Sequence, residues 1–287
     1  GARPNLVKMA ALVTEIRRRP GLEYRLIHTG QHSSPEMSGR FFEELEIPEP
    51  DVNLEVGAGT PTAQTAIMMQ RLEPVLVESP PDVVVVVGDV NSTLAGALAA
   101  AKLGLRLAHV EAGLRSFDRS MPEELNRVVT DTLSDLLFVS EPSGERNLLR
   151  EGVPPEKIFF VGNVMIDTLL RFRAKAERSD VLERLGVEDG RYAVATLHRP
   201  SNVDDAGPLG GLMGALGRIA RELPVIFPAH PRTAKALVAS GLAAPGVRVI
   251  EPLGYLDFLR LMSRARLVLT DSGGIQEETT ILQVPCL

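Results

Sequence analysis

The chain has 287 residues, with one cysteine (Cys286), no tryptophan and only 4% aromatic residues. A lone cysteine excludes an intrachain disulfide framework and a cysteine-based zinc cluster, and it fits a reducing compartment. With so few rings, a ligand site must rest on polar side chains and backbone groups more than on stacking. No apolar run reaches the roughly 18 residues that a membrane-spanning helix needs. The opening Gly1-Ala2-Arg3-Pro4-Asn5 has no charged segment followed by an apolar one, so no secretory signal is expected. An excess of positive charge is also missing. The net charge is −6, which argues against nucleic acid or an anionic membrane as the main partner.

What is present is ordinary for a soluble globular protein, with 44% hydrophobic and 24% charged residues. The length fits two domains. Short apolar runs alternate with helical-period stretches. Residues 24–30, 82–89, 106–113, 136–140 and 158–163 read as strands, and 6–19, 62–78, 93–103, 123–136 and 143–151 read as helices. The five-valine run Val83–Val87 lacks polar alternation, as expected of a parallel strand covered on both faces. A charged helical segment, 167–190, follows. The pattern then restarts, with strands expected at 192–198, 225–230, 247–252, 265–272 and 284–287. The expectation is an α/β protein with two Rossmann-like domains, 1–163 and 164–287, each built on a parallel sheet.

In such sheets, ligands gather beyond the carboxyl ends of the strands. The residues just after the strands are polar, and facing polar rims imply a cleft. Asp271-Ser272-Gly273-Gly274-Ile275-Gln276-Glu277-Glu278 leaves a strand and opens a helix, whose free N–H groups suit a diphosphate. Glu278, one turn in, can accept from ribose hydroxyls. The alternative is a plain helix start capped by Asp271 or Ser272. His198-Arg199 offers donors to a phosphate or leaving group, or else a strand end and a surface ion pair. Glu111 follows an apolar strand, where a carboxylate needs either a function or a partner such as Arg115. Glu123 lies three residues after Ser120 and next to Pro122, the spacing of a capping box. Asp89, after the valine run, is a general acid/base or the cap of the next helix. Asp89, Glu111 and Glu123 together suit removal of a proton from carbon and its return on the other face. Arg3 and Lys8 flank the first helix start, where they can meet an anion or remain solvated. Gln31-His32 is a further polar pair after a strand.

These pieces, in order along almost the whole chain, resemble the non-hydrolysing branch of the UDP-N-acetylglucosamine 2-epimerase family. The segments that carry the resemblance include Gly1-Ala2-Arg3-Pro4 with Lys8, Gly88-Asp89-Val90-Asn91-Ser92-Thr93, His109-Val110-Glu111-Ala112-Gly113-Leu114-Arg115, Met121-Pro122-Glu123-Glu124 with Asn126-Arg127, His198-Arg199 and 271–278. The resemblance implies a GT-B-like fold, no metal and no nicotinamide. It implies conversion of UDP-GlcNAc to UDP-ManNAc by loss of UDP to 2-acetamidoglucal and its re-addition. By resemblance Asp89, Glu111, Glu123 and His198 are catalytic. Arg3, Lys8, Arg199, Leu253, Phe258, Ser272, Gly273, Gly274 and Glu278 bind the UDP-sugar. Gln31 and His230 match parts of an allosteric site. A cytoplasmic homodimer serving cell-surface polysaccharide synthesis is also implied. The competing readings are a hydrolysing epimerase that releases ManNAc and UDP, a GT-B glycosyltransferase, and an inactive nucleotide-sugar-binding fragment. The three-carboxylate set favours an epimerase over a transferase. Both ends of the chain read as cut, with one strand expected before it and further helices after it.

Overall fold

The computed structural model describes the backbone of residues 3–30 and 35–287. The sites expected at the Arg3 side chain and at Gln31 lie outside the described residues. The chain divides into two compact units, Gly1–Thr168 and Leu169–Leu287.

In the first unit the elements run α1 (Arg3–Arg18), β1 (Ile27–His28), α2 (Pro35–Glu44), β2 (Val52–Asn53), α3 (Pro61–Glu78), β3 (Val84–Val87), α4 (Asn91–Lys102), β4 (Leu107–Val110), α5 (Pro122–Leu133), β5 (Leu136–Val139), α6 (Pro142–Arg150) and β6 (Ile158–Phe160). Strands β3-β4-β5-β6 form a parallel sheet in that order, and among the described residues β1 pairs with β2. The strand expected over 24–30 is two residues long, Ile27–His28. Among the described residues β3 comes first in its sheet, with Val86 and Val87 buried. The core is aliphatic: Met68, Leu72 and Leu76 of α3 pack with Ala95 and Ala99 of α4, and Leu137 and Val139 of β5 pack with Leu148 of α6.

α7 (Val164–Ala176) leads into the second unit. There α8 (Val181–Leu185), β7 (Ala193–Thr196), α9 (Pro200–Val203), α10 (Ala206–Ile219), β8 (Val225–Pro228), α11 (Pro231–Ser240), β9 (Val247–Ile250), α12 (Tyr255–Ser263), β10 (Leu267–Thr270) and α13 (Gly273–Leu282) follow. The sheet order is β10-β7-β8-β9, all parallel. The segment expected as a strand at 284–287 contributes a single parallel bridge, Cys286 to Val268. One glycine of α10 has a packing reason: a Cβ on Gly217 would lie 3.1 Å from that of Ala244. Leu209, Met213 and Leu216 of the same helix close over Val225 and Phe227.

Among the described residues, no helix is long and apolar enough to cross a membrane.

Candidate active site

The first unit gathers charge at the carboxyl ends of β3 and β4. The turn after β3 delivers Asp89, the end of β4 delivers Glu111, α1 contributes the buried Lys8, and α5 contributes Arg127. The Glu111 carboxylate is held between two cations. Lys8 Nζ pairs with Oε2, and Arg127 Nη2 lies 2.7 Å from Oε1. The same Arg127 nitrogen is 3.0 Å from Asp89 Oδ2. Burial pushes the Glu111 carboxyl up, but Lys8 and Arg127 outweigh it and hold the group below its ordinary range. Glu111 also has φ of +71°. That left-handed conformation costs a side-chain-bearing residue about 1–2 kcal/mol, and such strain collects at functional sites. Arg127 Nε is buried without a hydrogen-bond partner.

Several structural alternatives fall here. Arg115 does not pair with Glu111; its guanidinium lies 2.7 Å from Asp131 and 2.6 Å from Glu151. Asp89 does not cap α4, whose N-cap is Val90 with no side-chain bond. The Ser120–Glu123 capping box is absent as well. α5 is capped at Met121 without a side-chain bond, and Ser120 Oγ instead donates to Asp118, at 2.6 Å. Glu123 is exposed in the first turn of α5, four residues before Arg127. Its neighbour Glu124 is buried and accepts from the Ser116 N–H (2.8 Å), the Ser116 hydroxyl (3.0 Å) and the Phe117 N–H (3.2 Å).

The second unit presents a different set. His198 follows β7, its side chain about half exposed, with Nδ1 2.7 Å from Asp271 Oδ1. Asp271 Oδ2 accepts from the backbone N–H groups of His198 (3.0 Å) and Arg199 (2.9 Å) and from Asn202 Nδ2 (3.0 Å). Burial raises the Asp271 carboxyl, but these hydrogen bonds outweigh it and leave it well below the usual carboxylate range. Asp271 is thus the partner of His198, not a helix cap. Arg199 Nε donates to the Asp271 carbonyl at 2.7 Å. Ser272 stands at the N-cap of α13 with no side-chain capping bond, and Gly273 and Gly274 open the helix. The amides of that first turn form an anion-binding end.

Glu278, one turn further on, is buried and has no hydrogen-bond partner among the described residues. Burial, with the charge of Glu277, pushes its pKa up to about 7. The hydroxyl of Tyr255, also buried, has no partner either, and burial together with the charge of Glu278 raises its pKa. Leu253 and Phe258 lie partly buried at and just before the start of α12. His230 is exposed and caps α11, its Nδ1 accepting from the Arg232 N–H at 3.3 Å. Among the described residues there is no group of three or more His, Cys, Asp or Glu able to hold a metal ion.

The family model for UDP-N-acetylglucosamine 2-epimerase matches residues 14–287. The chain belongs to that family. UDP-N-acetylglucosamine 2-epimerase of Methanocaldococcus jannaschii is 44% identical over 297 residues, covering 100% of this chain and 81% of the relative. UDP-2,3-diacetamido-2,3-dideoxy-D-glucuronate 2-epimerase of Pseudomonas aeruginosa is also 44% identical, over 290 residues, covering 100% and 80%. The crystal structure of the M. jannaschii enzyme in complex with UDP-GlcNAc and UDP superposes with a TM-score of 0.93. It covers 99% of this chain and 80% of that one, at 44% identity. The family is one of isomerases, and the fold class is GT-B-like, with two Rossmann-like units on parallel sheets.

Two site residues escape a reading of the sequence. Arg127 stands inside the Met121–Arg127 motif without singling itself out, although its i,i+4 spacing from Glu123 places both on one helix face. Asp271 is 73 residues from His198, and only the pairing of β10 with β7 makes them neighbours.

Proposed function

We propose that the chain interconverts UDP-GlcNAc and UDP-ManNAc at C2 without hydrolysis. The observation that carries this reading is Glu111, an ionised carboxylate clamped by Lys8 and Arg127, with Asp89 on the same arginine. A base that must take a weakly acidic C2 proton has to be ionised and fixed in place. Glu111 takes that proton as the C1–O bond breaks, and the bonding pair leaves with the β-phosphate oxygen of UDP. The product is 2-acetamidoglucal. UDP then adds back at C1 while C2 is protonated on the opposite face, with Asp89 and Glu123 as candidates for the returning proton. The leaving oxygen gains charge, which His198 and the α13 N-terminal amides can meet with fixed donors. Arg3, Lys8, Arg199, Leu253, Phe258, Ser272, Gly273, Gly274 and Glu278 make up the proposed UDP-sugar set, with Gln31 and His230 as allosteric candidates. The reading extends to a cytoplasmic homodimer serving cell-surface polysaccharide synthesis.

The 44% identity to the Pseudomonas relative supports a second reading of the substrate: the same C2 chemistry on a UDP-2,3-diacetamido-2,3-dideoxyglucuronate. Incubation with each nucleotide sugar in D2O, followed by proton NMR, tests both. Deuterium at C2 with accumulating UDP-ManNAc is the expected result. Free ManNAc with UDP indicates hydrolysis. Turnover of the diacetamido-glucuronate alone moves the assignment to the second substrate. Transfer to an added acceptor without C2 exchange would sink every epimerase reading.

A further inference from the structure

The three proposed acid/base carboxylates ride on three separate stretches of chain: the turn after β3, the loop after β4, and α5. One buried network ties all three together. His109, on β4, has no exposed surface. Its Nε2 lies 2.8 Å from the carbonyl oxygen of Gly88, the residue before Asp89. Its Nδ1 lies 2.7 Å from Asp131 Oδ1. Asp131 Oδ2 accepts from the N–H of Gly113, two residues past Glu111, at 3.0 Å, and it pairs with Arg115 at 2.7 Å. Asp131 itself sits on α5, four residues after Arg127 and eight after Glu123.

A carbonyl oxygen only accepts. The Asp131 carboxylate is ionised, because the His109 and Arg115 contacts outweigh the upward push of burial. Each ring nitrogen of His109 thus faces an oxygen at hydrogen-bond distance, the Gly88 carbonyl at Nε2 and the Asp131 carboxylate at Nδ1. Arg115 joins the network between two carboxylates, Asp131 and Glu151.

We propose that His109, donating from both ring nitrogens to the Gly88 carbonyl and Asp131, is a positioning residue that sets the placement of Asp89, Glu111 and Glu123 relative to one another and adds positive potential at Glu111. The proposal rests on the reading of those three as the proton-transfer set. The groups that face Glu111 are Lys8 from α1, Arg127 from α5, Asp89 from the turn after β3, and His109 from its own strand. Losing the His109 charge leaves Lys8 and Arg127 in place but weakens the field that keeps Glu111 ionised.

The test is His109→Gln, which keeps a donor for the Gly88 carbonyl and removes the charge. The expected result is a kcat lower by about tenfold to a hundredfold, since small misplacements of reacting groups have effects of that size. KM should change little, and C2 deuterium exchange should fall in step with net epimerisation. The acid limb of the kcat/KM profile should move to higher pH, because Glu111 must be ionised to act as base. A folded His109→Gln enzyme with wild-type kcat and an unmoved acid limb would overturn the proposal. So would a loss of activity that tracks only the unfolded fraction. A measurement on the wild-type enzyme covers the case of a variant that does not fold. Nitrogen-15 NMR of labelled histidine should show a proton on both ring nitrogens of His109 at neutral pH, and a single proton would overturn the proposal. Absence of C2 exchange in the wild-type enzyme is a separate outcome. It would remove the proton-transfer reading and the proposal with it, whereas wild-type exchange with an unaltered variant removes the proposal alone.

Discussion

His198 Nδ1 stands 2.7 Å from Asp271 Oδ1, and the same carboxylate takes the backbone N–H groups of His198 and Arg199. One ionised side chain thus fixes both the loop after β7 and the imidazole on it. It holds the Nδ1 proton and leaves Nε2 for a ligand. Asp271→Asn should lower kcat by about a hundredfold, within the range typical of general acid/base groups. If the pair acts as a unit, Asp271→Asn combined with His198→Ala should be no slower than His198→Ala alone. Steady-state kinetics of the three variants check this, and multiplicative losses would count against the pairing.

Glu123 and Glu124 are adjacent but should behave oppositely. Glu123 is exposed beside no capping partner, whereas Glu124 is buried and takes three hydrogen bonds from Ser116 and Phe117. Glu123→Gln should reduce kcat by about a hundredfold or more and leave the melting temperature within a degree or so. Glu124→Gln should lower the melting temperature through about 1–3 kcal/mol of lost charged hydrogen bonds. Thermal melts and initial rates of the two variants separate the roles.

Glu278 carries a pH signature. Its carboxyl titrates at about 7 in the fold, against an ordinary value of 4.5. Between those values the folded chain holds a proton that the unfolded chain has lost, so this group lowers stability as pH rises from 4.5 to about 7 and changes nothing further above that. Glu278→Gln should therefore stabilise the protein by about 1–3 kcal/mol at pH 8 and by nothing measurable near pH 4.5. The same change should weaken UDP binding. Melts across pH and calorimetric titration with UDP report the two effects, and a destabilised variant at pH 8 would refute the assignment.

Gly113 meets Gly144 at close quarters. A Cβ there would lie 2.4 Å from the Gly144 carbonyl oxygen, and φ is +79°. Gly113→Ala should destabilise by about 3 kcal/mol or more, combining a left-handed backbone with a clash against main chain. It should also slow the reaction, since the Gly113 N–H is one of the ties to Asp131. Urea titration measures the first effect.

Much of the fold was legible in the sequence. The apolar runs of β3, β4, β7, β8 and β10 and the helical stretches between them announced parallel α/β units. β1 was read too long and β2 was not read, because a two-residue strand leaves almost no periodic trace. At the site, Asp89, Glu111 and His198 stood out because each follows an apolar strand. Arg127, Asp131 and Asp271 did not. Arg127 and Asp131 lie on a helix with many charged neighbours, and Asp271 reads equally well as a cap.

The sequence by itself determined the order of elements, the polar rims after the strands, and a set of motifs specific enough to point to one family. Those are local properties, written in periodicity and in short spacings. Which charge meets which was decided only by the tertiary structure. Lys8 and Arg127 converge on Glu111 from two different helices, Asp89 shares Arg127 with it, and His109 reaches Gly88 and Asp131 across two neighbouring segments. Pairing of β10 with β7 sets Asp271 against His198. Ion pairs act over a few ångströms of space, and strand order, not distance along the chain, sets that space.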